Sequence, residues 1–182
     1  MPGHCIFQLK ITLEDTTPPI WRRLLVPGDI RLSKLHRIFQ AAMGWTNSHL
    51  HSFTVGPALY GMHVDDWPDE EIDEEDVTVL DALRGHKSCR YEYDFGDGWE
   101  HRVEVEAHTS SDRGLKHAVC LAGANACPPE DCGGPSGFQH LLDVLGDPSD
   151  EQYADLLAWV GGAFEASAFD LAQTNAALQR VP

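Results

Sequence analysis

Histidines and acids that could hold a metal occur in two stretches of the chain. His49 and His51 are two positions apart in a segment that alternates like a β-strand, so both side chains point to one face. His101 lies in a second strand-like segment, and Asp94 and Asp97 come just before it. If the two strands share a sheet face, these side chains would hold a divalent metal that activates water for hydrolysis. The competing interpretation makes Asp97 a turn residue and the histidines hydrogen-bonded core residues.

A second candidate site is the stretch ACPPEDCGGPSGF at 126–138. Its prolines stiffen the chain, Gly133 and Gly134 allow positive φ, and Pro135 suits the first position of a helix that begins near Ser136. Structural zinc usually takes four ligands, often from two close cysteine pairs, so we interpret the stretch as a rigid lead-in that holds no metal. Backbone amides at the helix start would also suit an anion. The side chains of this loop that could form a site are Cys127, Glu130, Asp131 and Cys132.

Basic residues are concentrated in the N-terminal third. Three of them recur on one face of a predicted helix, and two more come just before it; together they form a candidate anion patch of Arg22, Arg23, Arg31, Lys34 and Arg37. The competing interpretation is an ordinary solvated helix face.

Composition limits the classes of function. The 182 residues suit one domain, 1–182, and carry a net charge of −16. Nine acids and no base lie in 65–76, so most of the surface repels phosphates and a protein partner is expected rather than nucleic acid. The N-terminal residues do not resemble a signal peptide, no apolar run is long enough for a membrane span, and the five cysteines suit a reducing compartment, so we expect a cytoplasmic location.

Hydrophobic periodicity predicts an α+β fold, an antiparallel sheet with an inserted helix near the N-terminus and a helical C-terminal third packed on it. Strands are predicted at 5–13, 20–27 and 49–56, and a hairpin at 88–107 whose buried row includes Tyr91, Tyr93 and Phe95. The predicted helices are 32–43, a short one within 77–85, and three from about 136 onwards. The acid-rich segment 57–76 is predicted to be a mobile loop.

Five phrases occur in order along the chain: PPIWRRLLVP, LHRIFQAAMGW, HLHSF, YEYDFGDGWEH and CPPEDCGGPSGF. Together they resemble the Ri-plasmid ORF-three-like family, whose members occur on plasmids, in chromosomes and as passengers of insertion elements. The resemblance runs from about Phe7 to about Leu178 and implies an α+β domain. It implies no established activity, and no serine or tyrosine nucleophile stands among clustered arginines as recombination would require.

These patterns favour a binding or interaction module, with a cleft between the hairpin turn at 94–101 and the loop at 127–135. The alternative is a metal-dependent hydrolase that uses the His/Asp cluster, and a third hypothesis is nucleic-acid or anion contact through the basic N-terminal third. A divalent metal is the one cofactor that the residues suggest.

Overall fold

The computed structural model describes residues 4–62 and 71–182. Within them the chain forms a mixed α/β fold with an eight-stranded, mostly antiparallel sheet and five helices. The strands are β1 (His4–Leu13), β2 (Ile20–Pro27), β3 (His51–Val55), β4 (Ala58–Gly61), β5 (Glu71–Asp73), β6 (Ser88–Tyr93), β7 (Trp99–Ser111) and β8 (Val119–Ala124). The helices are α1 (Leu32–Met43), α2 (Val79–Leu83), α3 (Gly134–Leu145), α4 (Tyr153–Trp159) and α5 (Leu171–Leu178).

The strands lie in the order β5-β4-β3-β6-β7-β1-β2-β8. Hairpins join β1 to β2, β3 to β4 and β6 to β7, as short connections between antiparallel neighbours require. The long strand β7 also pairs with β1, and the parallel pair is β4 with β5. The predicted strands and the predicted hairpin at 88–107 therefore form one sheet.

One face of this sheet is the core. Alternate residues of β1, β2, β6 and β7 point to it, because successive side chains of a strand face opposite ways. Helix α1 covers this face with the apolar stripe that its sequence predicted, and Phe39 packs against Phe53 and Tyr91. Gly44 ends the helix with φ of 96°, a left-handed conformation that glycine adopts without strain.

The later helices follow the predicted breaks in the chain. Helix α3 begins at Gly134 with Pro135 in its first turn, and the side chain of Asp170 caps α5 by accepting from the Gln173 N–H. Leu178 of α5 and Phe138 of α3 reach the core. No helix in the described ranges is long and apolar enough to cross a membrane.

Four features differ from the sequence prediction. The predicted loop at 57–76 contains strands β4 and β5 where the structure describes it, and 63–70 lie outside the described residues. Glu74, inside the acid run, is buried, and its Oε2 accepts a hydrogen bond from His51 Nε2, which offsets part of the cost of removing the carboxylate from water. Phe95 is 39% exposed, because Asp94 has positive φ and the strand ends before it. Strand β8 had no clear alternation and was not predicted.

Candidate metal centre

The pairing of β3 with β6 brings His49 and Asp94 together. In this antiparallel pair His51 lies opposite Tyr93, and the Asp94 N–H donates to the carbonyl of Leu50 at 2.9 Å. The chain leading into β3 and the chain leaving β6 therefore run side by side at one end of the sheet. His49 Nε2 lies 3.5 Å from Asp94 Oδ2 as a result.

The loop at 126–133 is fastened to the same end of the sheet. Trp45 Nε1 donates to the carbonyl of Pro128 at 3.0 Å, and the Gly133 N–H donates to Asp97 Oδ2 at 3.1 Å. Asp97 therefore positions the loop rather than joining the cluster. Gly134 has φ of 70°, and a Cβ there would clash with the carbonyl oxygen of Asp97. The close approach of loop and turn thus requires glycine at this position.

The loop places two carboxylates beside His49. The Nε2 atom of His49 lies 3.1 Å from Asp131 Oδ1 and 3.7 Å from Glu130 Oε2. Ligand atoms of His49, Asp94 and Asp131 all lie within 4.8 Å of one another, and this is the one such set of three or more metal-binding side chains in the described part of the chain. Atoms bound to one ion at about 2.0–2.2 Å lie roughly 3 to 3.5 Å apart. The distances from His49 Nε2 to Asp131 Oδ1 and to Asp94 Oδ2, 3.1 and 3.5 Å, fall in this range, so the three side chains form a candidate cation site. We call His49, Asp94, Glu130 and Asp131 the loop-end cluster.

Glu130 is the best-anchored acid of the loop-end cluster. Its carboxylate accepts from the Thr46 N–H at 2.7 Å and from the Tyr93 hydroxyl at 3.2 Å. Burial, with the Glu130 charge adding to it, raises the pKa of Tyr93 to about 12, so the hydroxyl keeps its proton and donates. His49 Nε2 has no hydrogen-bond partner in the described chain and is shielded from solvent, which leaves it as a free ligand atom facing the acids.

The other two predicted histidines do not join this cluster. His51 Nε2 bonds to Glu74 at 2.8 Å, and its ring stacks on that of His36. His101 is fully buried, as the competing core interpretation required, and its Nδ1 donates to the carbonyl of Tyr91 at 3.2 Å. Burial lowers the pKa of His101 to about 4, so its ring is neutral. The predicted convergence of three imidazoles is therefore wrong, because β3 and β7 are separated by β6.

The two loop cysteines have separate environments. Cys127 Sγ contacts the Arg22 guanidinium and Met43 Sδ, each at 3.7 Å. Burial raises the pKa of Cys127 to about 11, and burial with the nearby Asp97 charge raises that of Cys132 to about 12. Both are thiols at neutral pH, so neither is an activated nucleophile.

The predicted anion patch is not assembled. The Arg22 side chain is buried and donates to backbone carbonyls, including those of Ala42 and Ala124. Arg23 points the other way, as its neighbour in a strand must, and pairs with Glu106 at 2.6 Å. Arg31 Nη1 is occupied by the carbonyl of Asp76.

All four residues of the loop-end cluster are candidates in the sequence, but there they belong to two separate predicted sites. His49 and Asp94 were grouped with the other histidines, and Glu130 and Asp131 with the cysteines. One sequence feature pointed to the cluster. The loop stiffened by prolines carries two adjacent acids, and a purely structural turn would not need them. His36 and Glu74 were missed, because His36 lies in a helical stripe and Glu74 in the acid run.

The eight-stranded sheet with α1 across one face defines an α+β protein, and in this chain a histidine–carboxylate cluster forms a candidate cation site at one end of the sheet. The chain belongs to the family of plasmid pRiA4b ORF-3-like proteins, whose model matches residues 5–173. It is similar to the uncharacterized protein y4hQ of Sinorhizobium fredii, with 42% identity over 95% of this chain and 90% of the other. A solved structure, the protein of unknown function MM3350 from Methanosarcina mazei Go1, is 33% identical and superposes with a TM-score of 0.85 over 93% of this chain and 97% of that one. Neither description states an activity.

Proposed function

We propose that this protein is a binding module that holds a divalent cation at the loop-end cluster and presents it to a ligand in the cleft. The observation that carries the proposal is the convergence of His49 with Asp94 and Asp131 from three separate parts of the chain. An ion at this point would also compensate the carboxylates, which otherwise repel one another.

The donor set indicates the kind of ion. One imidazole nitrogen with carboxylate oxygens suits zinc or manganese better than calcium, which takes oxygen ligands, or copper(I), which takes sulfur. Asp131 is 72% exposed, so the open side of the cluster faces solvent and leaves room for an external ligand. A ligand with an anionic oxygen would complete the coordination of such an ion.

The test is metal binding by chelator-stripped protein, measured by titration calorimetry with Zn²⁺ and Mn²⁺ in turn. We expect one equivalent of one of these ions to bind, and Asp131→Asn to weaken that binding at least tenfold. Asp131 has φ of 59°, which asparagine tolerates, so the substitution removes charge without disturbing the loop.

Asp15→Asn is the matched control. Asp15 is also an exposed aspartate at positive φ, 57°, but it lies in the β1–β2 turn. We expect it to bind metal like the wild type. Equal binding by the two variants, or no binding by the wild type, would reject the proposed site.

A second candidate function is metal-dependent hydrolysis, favoured by the position of Glu130. Its carboxylate lies beside the candidate ion position but is held by Thr46 and Tyr93, as suits a base that takes a proton from metal-bound water. Metal-loaded protein would be assayed on chromogenic phosphate and carboxylate esters. Turnover that is lost in Glu130→Gln while metal binding is retained would support a hydrolase. The absence of turnover in the wild type would favour the binding module.

A further inference from the structure

A second cluster of buried titratable residues lies between α1 and β3. The imidazole rings of His36 and His51 stack with centroids 3.4 Å apart and an interplanar angle of 3°. Each histidine is only 3% exposed. None of the four loop-end residues contributes to this stack, so it is a separate feature.

The hydrogen bonds around His36 have a fixed direction. Gln40 Nε2 donates to the Tyr91 hydroxyl, which then donates to His36 Nδ1. His36 Nε2 must therefore carry the hydrogen and donate to Asn47 Oδ1, while the Asn47 N–H donates back to Gln40 Oε1. Burial, with the neighbouring His51 adding to it, lowers the pKa of His36 to about 3. His36 is thus a neutral ring whose polar atoms are all used.

His51 is in the opposite situation. Its Nε2 donates to Glu74 Oε2 at 2.8 Å, and the two side chains are 1% and 5% exposed. Its Nδ1 is buried and has no hydrogen-bond partner in residues 4–62 or 71–182. A buried polar atom without a partner is destabilising, so it marks a place where a ligand would add a hydrogen bond.

A cavity of about 290 Å³ adjoins this stack. This volume is at the lower end of the range for small-molecule sites, which begins at about 300 Å³. Besides the two imidazoles, its lining includes one methionine, one arginine and three consecutive acids; these are Met62, Arg37, Asp73, Glu74 and Glu75. Three carboxylates against one guanidinium make the cavity attract cations, and Met62 offers an apolar contact to a short carbon chain.

We infer that this cavity binds a small organic ammonium compound, which donates an N–H to His51 Nδ1 while Glu74 holds the imidazole in the accepting tautomer. In the neutral ring, an Nε2–H that donates to Glu74 leaves the lone pair on Nδ1, where an ammonium group finds its acceptor. The charge of the ligand is balanced by the carboxylates that line the cavity. His36 supports the His51 ring from behind and takes no part in the contact.

The test compares three four-carbon probes that differ in the charge of the head group: butylammonium, butanol and butyrate. Binding is read by saturation-transfer NMR, and the ¹⁵N shift of His51 Nδ1 reports the new hydrogen bond. We expect butylammonium alone to bind and to move that shift. Binding of butyrate in preference, equal binding of butanol, or no binding of butylammonium would each overturn the inference, and none of these comparisons needs a variant.

Glu74→Gln supplies the second arm, because glutamine keeps the size and can accept from Nε2–H but lacks the charge. It should weaken butylammonium binding at least tenfold, whereas Glu92→Gln, a half-buried acid on β6 outside the cavity, should not. Asp131→Asn should leave butylammonium binding unchanged and Glu74→Gln should leave metal binding unchanged, so the two sites can fail independently. Equal butylammonium affinity in Glu74→Gln and wild type would contradict the role of the carboxylate.

Discussion

Two adjacent arginines show how far the environment of one residue type can differ within a strand. Arg22 faces the core side of β2, where it donates to carbonyls of β2, of α1, and of β8 and the residue that follows it. Its guanidinium lies over the Phe169 ring at 4.6 Å. Arg23 faces the opposite side and forms an ion pair with Glu106. Arginine therefore connects three elements at position 22 and forms only a partly exposed ion pair at position 23.

We predict that Arg22→Met destabilises the protein by about 2–4 kcal/mol, because the buried carbonyls it serves lose their donors. Arg23→Met is the matched control and should cost less than about 1 kcal/mol, as partly exposed ion pairs contribute little. Urea denaturation gives both values. Similar losses in the two variants would contradict the structural role assigned to Arg22.

At the scale of elements, the loop-end cluster depends on three connections that meet at one end of the sheet. The segment before β3, the turn after β6 and the 126–133 loop each supply part of the site. The loop is held by its contacts with Trp45 and Asp97, so the cluster can be disturbed without changing any of its members.

Gly134→Ala should destabilise the protein by more than about 2 kcal/mol, since it adds a clash with the Asp97 carbonyl to the strain of φ 70°. Gly161 has a similar φ of 85° but open space around it, so Gly161→Ala should cost only the backbone strain, about 1 kcal/mol. Thermal or urea unfolding of both variants measures the difference. If the two substitutions lower the free energy of unfolding equally, the loop does not approach the turn as closely as described.

At the scale of the whole molecule, buried histidines make stability depend on pH. Burial lowers the pKa of His101 to about 4 and that of His36 to about 3, below the value of roughly 6.5 in an unfolded chain. The unfolded state therefore binds more protons as the pH falls below about 6.5. Stability due to these rings is complete above that pH and declines until the folded pKa is reached.

Between pH 7 and pH 5, each ring should contribute a loss of about 2 kcal/mol in the free energy of unfolding. His101→Phe keeps an aromatic ring against Trp45 and should remove its share of the loss. His140→Gln, which changes an exposed histidine, should keep the wild-type dependence. The measurement is urea denaturation at both pH values, and an unchanged loss in His101→Phe would show that this ring is not buried neutral.

The net charge of −16 and the separation of the basic residues both disfavour binding to nucleic acid. With Arg22 buried and Arg23 paired, Lys34 and Arg37 remain on α1 without the patch that the sequence suggested. We predict no retardation of a labelled DNA or RNA oligonucleotide at about 150 mM salt, where few phosphate contacts could form. Salt-dependent binding that Lys34→Ala and Arg37→Ala weaken would contradict this prediction.

Local patterns along the sequence determined the main elements. The period-two rows of β1, β2, β6 and β7 and the apolar stripe of α1 are readable because one face of each element is buried. Gly44 and the glycine–aspartate turns ended elements where the sequence indicated, since few residues adopt those backbone angles. The family resemblance rested on the same local phrases.

Only the tertiary structure decided which polar side chains meet. Strand order separated His101 from His49, and pairing of β3 with β6 joined His49 to Asp94 instead. The approach of a loop 80 or so residues further along brought Glu130 and Asp131 to the same point, and a short parallel strand placed Glu74 on His51. Such contacts depend on how the sheet is ordered and how its connections fold back, and local periodicity carries no information on either, because it reports only which face of an element is buried.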